Sequence, residues 1–309
     1  MKLQHGRKYL QVALNSNLGD AQQIISQLPQ DSRILLEAGT PLIKSAGIAS
    51  VSRLMSFWRQ QGLGAVMQQA GLVDTIDAEF AAIVSTKAGD TSSAGPPIDI
   101  FGLLNKIDTN KLPPPWRFVF KQFVKLQPGP AATAVAAQVN VPAALPKAVS
   151  AGVYVVADLK TADLASWEVR MAAEAGASGA TCLGVAPTET IDFFIEECKK
   201  YGIDSMLDMM AVKEPVLILQ QLRTPPDVVI LHRGVDEESL NKEKELPYYD
   251  IGLIKNSFDV LIAIAGGDDF HEVQRAILND VDIVVVWKSF FSPSLQTAIL
   301  AEQFLKEIH

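Results

Sequence analysis

The chain has 309 residues, 48% of them hydrophobic, and a net charge of −8. That length buries a core large enough for one large domain or two, and the acidic balance, with no long basic run, excludes a general nucleic-acid binder, which needs a positive field against phosphates. Two cysteines, Cys182 and Cys198, cannot build a disulfide framework, the start MKLQHGRKYLQ has no apolar signal core, and no apolar run reaches membrane-spanning length, so a soluble, cytoplasmic protein is expected.

In chain order, KYLQVALN reads as a first strand with AQQIISQL as its helix, and RILLEAG as a second strand with IASVSRLMSFWRQ as its helix. The rhythm then breaks between about Gln61 and Ser150, where SSAGPP, PPP, QPGP and NVPAALP rule out one long helix. Apolar pieces such as FAAIV and WRFVFKQFVKL predict short helices there, within an inserted, Pro-rich subdomain spanning residues 61–150. The alternation resumes with the strands VYVVAD, GATCLG, IDSMLDM, DVVILH, DVLIAIAG and DIVVVWK. Helical patterns separate them, from ASWEVRMAAEAG through SLQTAILAEQFLKEI, and Gly176 and Gly202 stand where helix ends are expected. Nearly continuous apolar strands alternating with amphipathic helices indicate a parallel sheet covered by helices.

Two strand–helix units before the break and six after it make eight. The expected fold is a (β/α)₈ barrel formed by residues 1–60 and 151–309, with the insertion between helix 2 and strand 3. An open doubly wound sheet is the alternative, weakened by the lack of a GxGxxG after the first strand.

Barrel active sites lie at the C-terminal ends of the strands. Strand one ends in Asn15 and strand two in Glu37; strand three ends in Asp158, followed by Lys160 and Asp163. Strand five carries Asp208, strand six ends in His232 and Arg233, strand seven in Gly266-Gly267, and strand eight in Trp287-Lys288. Each has a structural alternative. Asp158 or Asp163 could cap the next helix, Asp158 and Lys160 share a face of an extended chain and could form a simple ion pair, His232 could be a core histidine, and Gly266-Gly267 only a turn. Their recurrence at one end of successive strands favours a shared site.

AGTPLIK (38–44), VADLKTAD (156–163), LHRGVDEE (231–238) and AIAGGDD (263–269) resemble the orotidine 5′-phosphate decarboxylase suprafamily, closest to its hexulose-6-phosphate synthase and 3-keto-gulonate-6-phosphate decarboxylase branch. The resemblance covers residues 8–56 and 151–305, and its most specific element is Asp158-x-Lys160-x-x-Asp163. It implies a lyase, aldolase or decarboxylase, passing through an enediolate on a sugar-phosphate-like substrate. Mg²⁺ would be bound by Glu37 and Asp158, as suits a hard cation. Lys160 would carry a proton or act electrostatically at the reacting carbons. Asp163 would reach into the neighbouring subunit's site of a homodimer, and His232 would move a proton or orient the substrate. Asn15 and Asp208 join this catalytic set. Gly266, Gly267, Lys288 and Arg233 would hold the phosphate.

Two departures from the family pattern bear on this. Asn15 stands where an Asp is usual, which removes a charge near Lys160 and predicts a shift of Lys160 toward its neutral form. Trp287-Lys288 replaces Gly-Arg, crowding the anion pocket and losing arginine's two-pronged grip. They leave open a divergent barrel with a non-phosphorylated substrate, or a non-catalytic protein that binds a partner through the insertion.

Overall fold

In the computed structural model, residues 2–69, 153–241, 243, 245–266, 270–287 and 296–307 are described. The chain divides into two units, Met1–Gln61 with Gly152–His309, and Gly62–Ala151. The expected short helices of the Pro-rich segment lie outside the described residues.

Eight parallel strands close into one barrel in sequence order: β1 (Tyr9–Leu14), β2 (Ile34–Ala38), β3 (Tyr154–Thr161), β4 (Gly179–Leu183), β5 (Asp204–Asp208), β6 (Val228–His232), β7 (Leu261–Ala265) and β8 (Ile283–Val286). Closure is made by β1 on β8, in register from Tyr9 opposite Ile283 to Val12 opposite Val286. The open doubly wound alternative is thereby excluded.

The described helices are α1 (Leu18–Gln27), α2 (Thr40–Ala46), α3 (Ala49–Gln69), α4 (Ala165–Glu174), α5 (Thr188–Tyr201), α6 (Pro215–Gln221), α7 (Val235–Leu240), α8 (Tyr248–Ser257), α9 (Phe270–Leu278) and α10 (Gln296–Glu307). Two of them differ from the sequence reading. The GTPL stretch after β2 forms its own turn of helix, α2, started by a proline in its first turn and ended at Gly47. The VDEESL stretch just after β6, to which the sequence reading gave no element, forms α7, whose first turn carries Asp236, Glu237 and Glu238, the placement the helix dipole favours. Asn17 caps α1 by accepting the Asp20 amide at 3.0 Å.

Strand parity divides the core. Leu10, Val12, Leu14, Val155, Ala157, Val229 and Ile262 pack outward with helix residues such as Ile25, Val169, Phe194 and Ile254. Tyr9, Leu35, Tyr154, Val156, Met206, Val228, Ile230 and Leu261 form a separate cluster, the filling of the barrel. Every second residue of each strand therefore faces inward, and the inward residue nearest the C-terminal end faces the upper mouth.

Aspartates close the lower end. At the start of β5, Asp204 Oδ2 accepts the Tyr154 hydroxyl at 2.8 Å and the Leu3 amide at 3.0 Å, while Oδ1 pairs with Lys2 at 2.8 Å. Before β8, Asp282 accepts the Ile262 amide at 2.8 Å and meets Lys8 and Lys255. These bonds satisfy buried polar groups far from the upper mouth. Removing the hydroxyl in Tyr154→Phe leaves Asp204 one donor short and should lower the unfolding free energy by about 1–2 kcal/mol. Urea titration measures this, and ligand binding at the upper mouth is expected to be unchanged.

Candidate active site

A cavity of about 250 Å³ opens at the upper end of the barrel. Its wall includes Gln11, Ala13 and Asn15 from β1 and its end, Glu37, Asp158, Lys160, Thr181, Asp208, Ile230, His232, Arg233, Gly266 and Trp287. The strand residues among them are the inward-facing set, so alternation and closure bring together side chains from opposite ends of the sequence.

The centre is a chain of charges. Lys160 Nζ lies 2.7 Å from Asp208 Oδ2 and 3.3 Å from Asp158 Oδ1. His232 Nδ1 lies 3.0 and 2.9 Å from the two Asp208 oxygens, and the Met210 amide donates to Asp208 Oδ1 at 2.9 Å. Burial works against the Asp208 charge, but the His232 hydrogen bond and the Lys160 ammonium outweigh it and hold the acid down at about 2. Asp208 is thus an acceptor, which assigns the proton to Nδ1 of the imidazole. Burial likewise opposes the Lys160 charge, yet Asp158 and Asp208 raise its pKa above the ordinary ammonium value. The expected shift toward neutral Lys160 is therefore wrong. The charge absent at Asn15 is supplied by Asp208, 48 positions after the lysine.

Asp158 is fixed from two sides. Thr40 donates its amide at 3.2 Å and its hydroxyl at 2.8 Å to Oδ2, and Thr181 donates its hydroxyl at 2.9 Å to Oδ1. Asp158 thus caps no helix of its own but receives the start of α2. Glu37 is sealed beneath, with Gln11 Nε2 donating to its Oε2. Burial first, then the neighbouring Asp158 charge, raise its carboxyl to about 7.

The remaining sequence candidates divide. Asn15 lines the cavity, its carboxamide occupying the space a side chain at Gly39 would need. Arg233 is buried in the wall, donating Nη2 to the Gly266 carbonyl at 2.7 Å and lying 3.8 Å from Glu238. Gly266 has φ +97° and passes so close to the Arg233 backbone that a Cβ would meet its carbonyl oxygen, so both conformation and space require glycine. Asp163 is not part of this centre; it is exposed, accepts the Leu164 amide at 2.8 Å, and borders a surface depression with Trp167, Arg170 and Phe193. Gly267 and Lys288 lie outside the described residues. The strand-end reading missed Thr40, Thr181 and Gln11, because Thr40 opens α2, Gln11 lies in mid-strand, and no candidate was taken from strand four. The inward parity of β1 and β4 is the signal that finds Gln11 and Thr181.

Residues 133–286 match the orotidine 5′-phosphate decarboxylase / HUMPS family. That match spans β3–β8. The bifunctional enzyme Fae/Hps of Methanothrix thermoacetophila is 40% identical over 158 residues, 51% of this chain and 39% of that protein. The Fae/Hps enzyme of Methanocaldococcus jannaschii is 43% identical over 136 residues, 44% of this chain and 33% of that protein. The chain thus matches well under half the length of these relatives. Among solved structures, 3-hexulose-6-phosphate synthase from Salmonella typhimurium superposes with TM-score 0.58 at 18% identity, covering 97% of each chain. KGPDC from Streptococcus mutans gives 0.54 at 14% identity, again over 97% of each chain. At these identities the two structures show a shared fold.

The donor set suits a hard cation. Glu37 and Asp158 offer carboxylate oxygens to one cavity, and the high proton affinity of Glu37 beside Asp158 marks a place where added positive charge is stabilising. Among the described residues no three His, Cys, Asp or Glu side chains form a full cage, so such a cation would take its other ligands from water and substrate.

The Glu37 shift has a pH consequence. Its carboxyl goes from an ordinary 4.5 to about 7 on folding, so between these values the folded protein binds more protons than the unfolded chain. Stability is present below about pH 4.5 and is lost as pH rises toward 7. In metal-free buffer, Glu37→Gln should match the parent at about pH 4 and exceed it at about pH 8, by up to about 3 kcal/mol. Urea midpoints at the two pH values measure the difference.

Proposed function

We propose that the chain is a Mg²⁺-assisted aldehyde-lyase acting on a hexulose 6-phosphate, by the chemistry of a hexulose-6-phosphate synthase. The observation that carries this reading is the Lys160 ammonium held between Asp158 and Asp208, over a cavity that Glu37 and His232 also line. The relatives at about two-fifths identity carry Hps in their names, which favours aldol chemistry over decarboxylation.

In a 3-hexulose 6-phosphate, breaking the C1–C2 bond releases C1 as a one-carbon aldehyde and leaves the electron pair on C2, as an enediolate conjugated with the C3 carbonyl. The C1 hydroxyl must lose a proton and C2 must gain one. The Lys160 ammonium stays charged and faces the cavity, so it stabilises the developing negative oxygens. His232, with Nδ1 tied to Asp208, keeps Nε2 for proton transfer with the substrate. A Mg²⁺ held by Glu37 and Asp158 would, when bound, add positive charge to the enediolate oxygens. Arg233 and the backbone at Gly266 line the cavity and would hold the phosphate; Gly267 and Lys288, outside the described residues, are proposed to join them.

The active form is proposed to be a homodimer in which Asp163 enters the partner's site. In support, Asp163 sits beside Leu164, Trp167 and Phe193, which are 69%, 57% and 46% exposed, an apolar area that association would cover.

The purified chain with Mg²⁺ and 3-hexulose 6-phosphate should release aldehyde, detected by a colour reaction, and chelation should suppress it. Lys160→Ala should lower kcat/KM by roughly 10²–10⁴-fold while the fold is retained. Absence of turnover in the parent, with sugar phosphate bound, would favour the non-catalytic reading. For the assembly, Trp167→Asp should shift the sedimentation coefficient from dimer to monomer; a parent that sediments as a monomer at assay concentration would exclude the shared site.

A further inference from the structure

The ladder between β3 and β4 is irregular where the chemistry lies. Ala157 is opposite Ala180 and Thr161 is opposite Cys182. Residues 158–160 of β3 therefore face Thr181 alone, and β3 bulges by two residues. Such a bulge interrupts the backbone ladder and re-aims side chains. Lys160 sits in it at φ +50°, a left-handed conformation that a side-chain-bearing residue adopts only under constraint. Its amide has lost the regular partner on β4.

Thr181 supplies the replacement. Its Oγ1 accepts the Lys160 amide at 2.9 Å, and the same hydroxyl donates to Asp158 Oδ1 at 2.9 Å. The residue is 2% exposed, so water does not compete for either bond. One hydroxyl, used once as acceptor and once as donor, closes the bulge and aims the two charged side chains at each end of it. Leu159, between them, packs outward against the helices. Valine matches threonine in shape but has neither function, so the position needs the oxygen rather than the volume.

We infer that Thr181 is the positioning residue of this site: its hydroxyl holds the strained Lys160 backbone and the Asp158 carboxylate in their working arrangement. The residue touches no reacting atom in this role and acts through the two that do. Thr40 holds Asp158 from the other side but makes no bond to Lys160, which gives an internal control.

The test compares Thr181→Val, Thr181→Ser and Thr40→Val in the full chain by amide hydrogen exchange and turnover. In Thr181→Val the Lys160 amide should exchange about tenfold faster, with the amides of β5 and β6 unchanged. In Thr181→Ser it should stay protected, and in Thr40→Val it should also stay protected. The turnover arm rests on the lyase reading above: Thr181→Val should lose about 100-fold in kcat with KM little changed, and Thr181→Ser should recover most of it. Should Thr181→Val fail to fold, Thr181→Ala against Thr181→Ser carries the same comparison. Unchanged Lys160 protection in the valine variant, or turnover within threefold of the parent, overturns the assignment. A parent without turnover sinks the lyase reading, and the exchange result then decides the role of Thr181 by itself.

Discussion

The upper mouth of the barrel depends on one arrangement, the Lys160 ammonium set between the carboxylates of Asp158 and Asp208. Taking ions out of water costs several kcal/mol each, and a buried charge left without its partner costs about 3–5 kcal/mol. The arrangement persists because each member has further hydrogen bonds. Asp208 is held by His232 and the Met210 amide, and Asp158 by Thr40 and Thr181. Each of these bonds helps to hold the others, because linked hydrogen bonds polarise one another. The same feature makes the site useful: charges already oriented do not have to reorganise when charge develops on a substrate.

The barrel keeps this site apart from the groups that close its lower end. Inward positions in the lower half are apolar or are aspartates tied to backbone amides, hydroxyls and lysines, as at Asp204 and Asp282. Those in the upper half carry the acids, the lysine and the histidine. Backbone strain accompanies the function: Lys160 and Leu164 are left-handed, and both follow β3's departure from regular pairing. Glu37 shows the opposite face of the same arrangement. Its carboxyl is destabilised as an anion by burial and by Asp158, so the floor of the cavity favours positive charge, whether a proton or a cation.

A different surface holds Asp163. It belongs to the Asp-x-Lys-x-x-Asp pattern by spacing, yet the turn after β3 carries it out of the cavity to a depression edged by Trp167 and Phe193. Within one chain the pattern therefore splits into two parts, a pair inside and an acid outside. Lys160 finds its second counter-ion in Asp208 rather than in Asp163 or at position 15.

The sequence by itself determined the eight strand–helix units and the end of the barrel at which the chemistry lies. Those features rest on local physics: the two-residue period of the strands, the apolar faces of the helices, and polar residues where the apolar runs stop. It also indicated Glu37, Asp158, Lys160, Asp208 and His232, since charge at the end of a buried strand is conspicuous. It did not show that Asp208 keeps Lys160 charged, nor that Thr40 and Thr181 hold Asp158. Those facts depend on register between strands distant in the chain and on a bulge that sets three residues of β3 against one of β4. Threonine inside a strand looks like ordinary strand composition, and its hydroxyl gains meaning only when closure brings a carboxylate and a stranded amide to it. Tertiary structure decided these points because pKa shifts and hydrogen bonds fall off over a few ångströms, and only the closed barrel sets which groups lie that close.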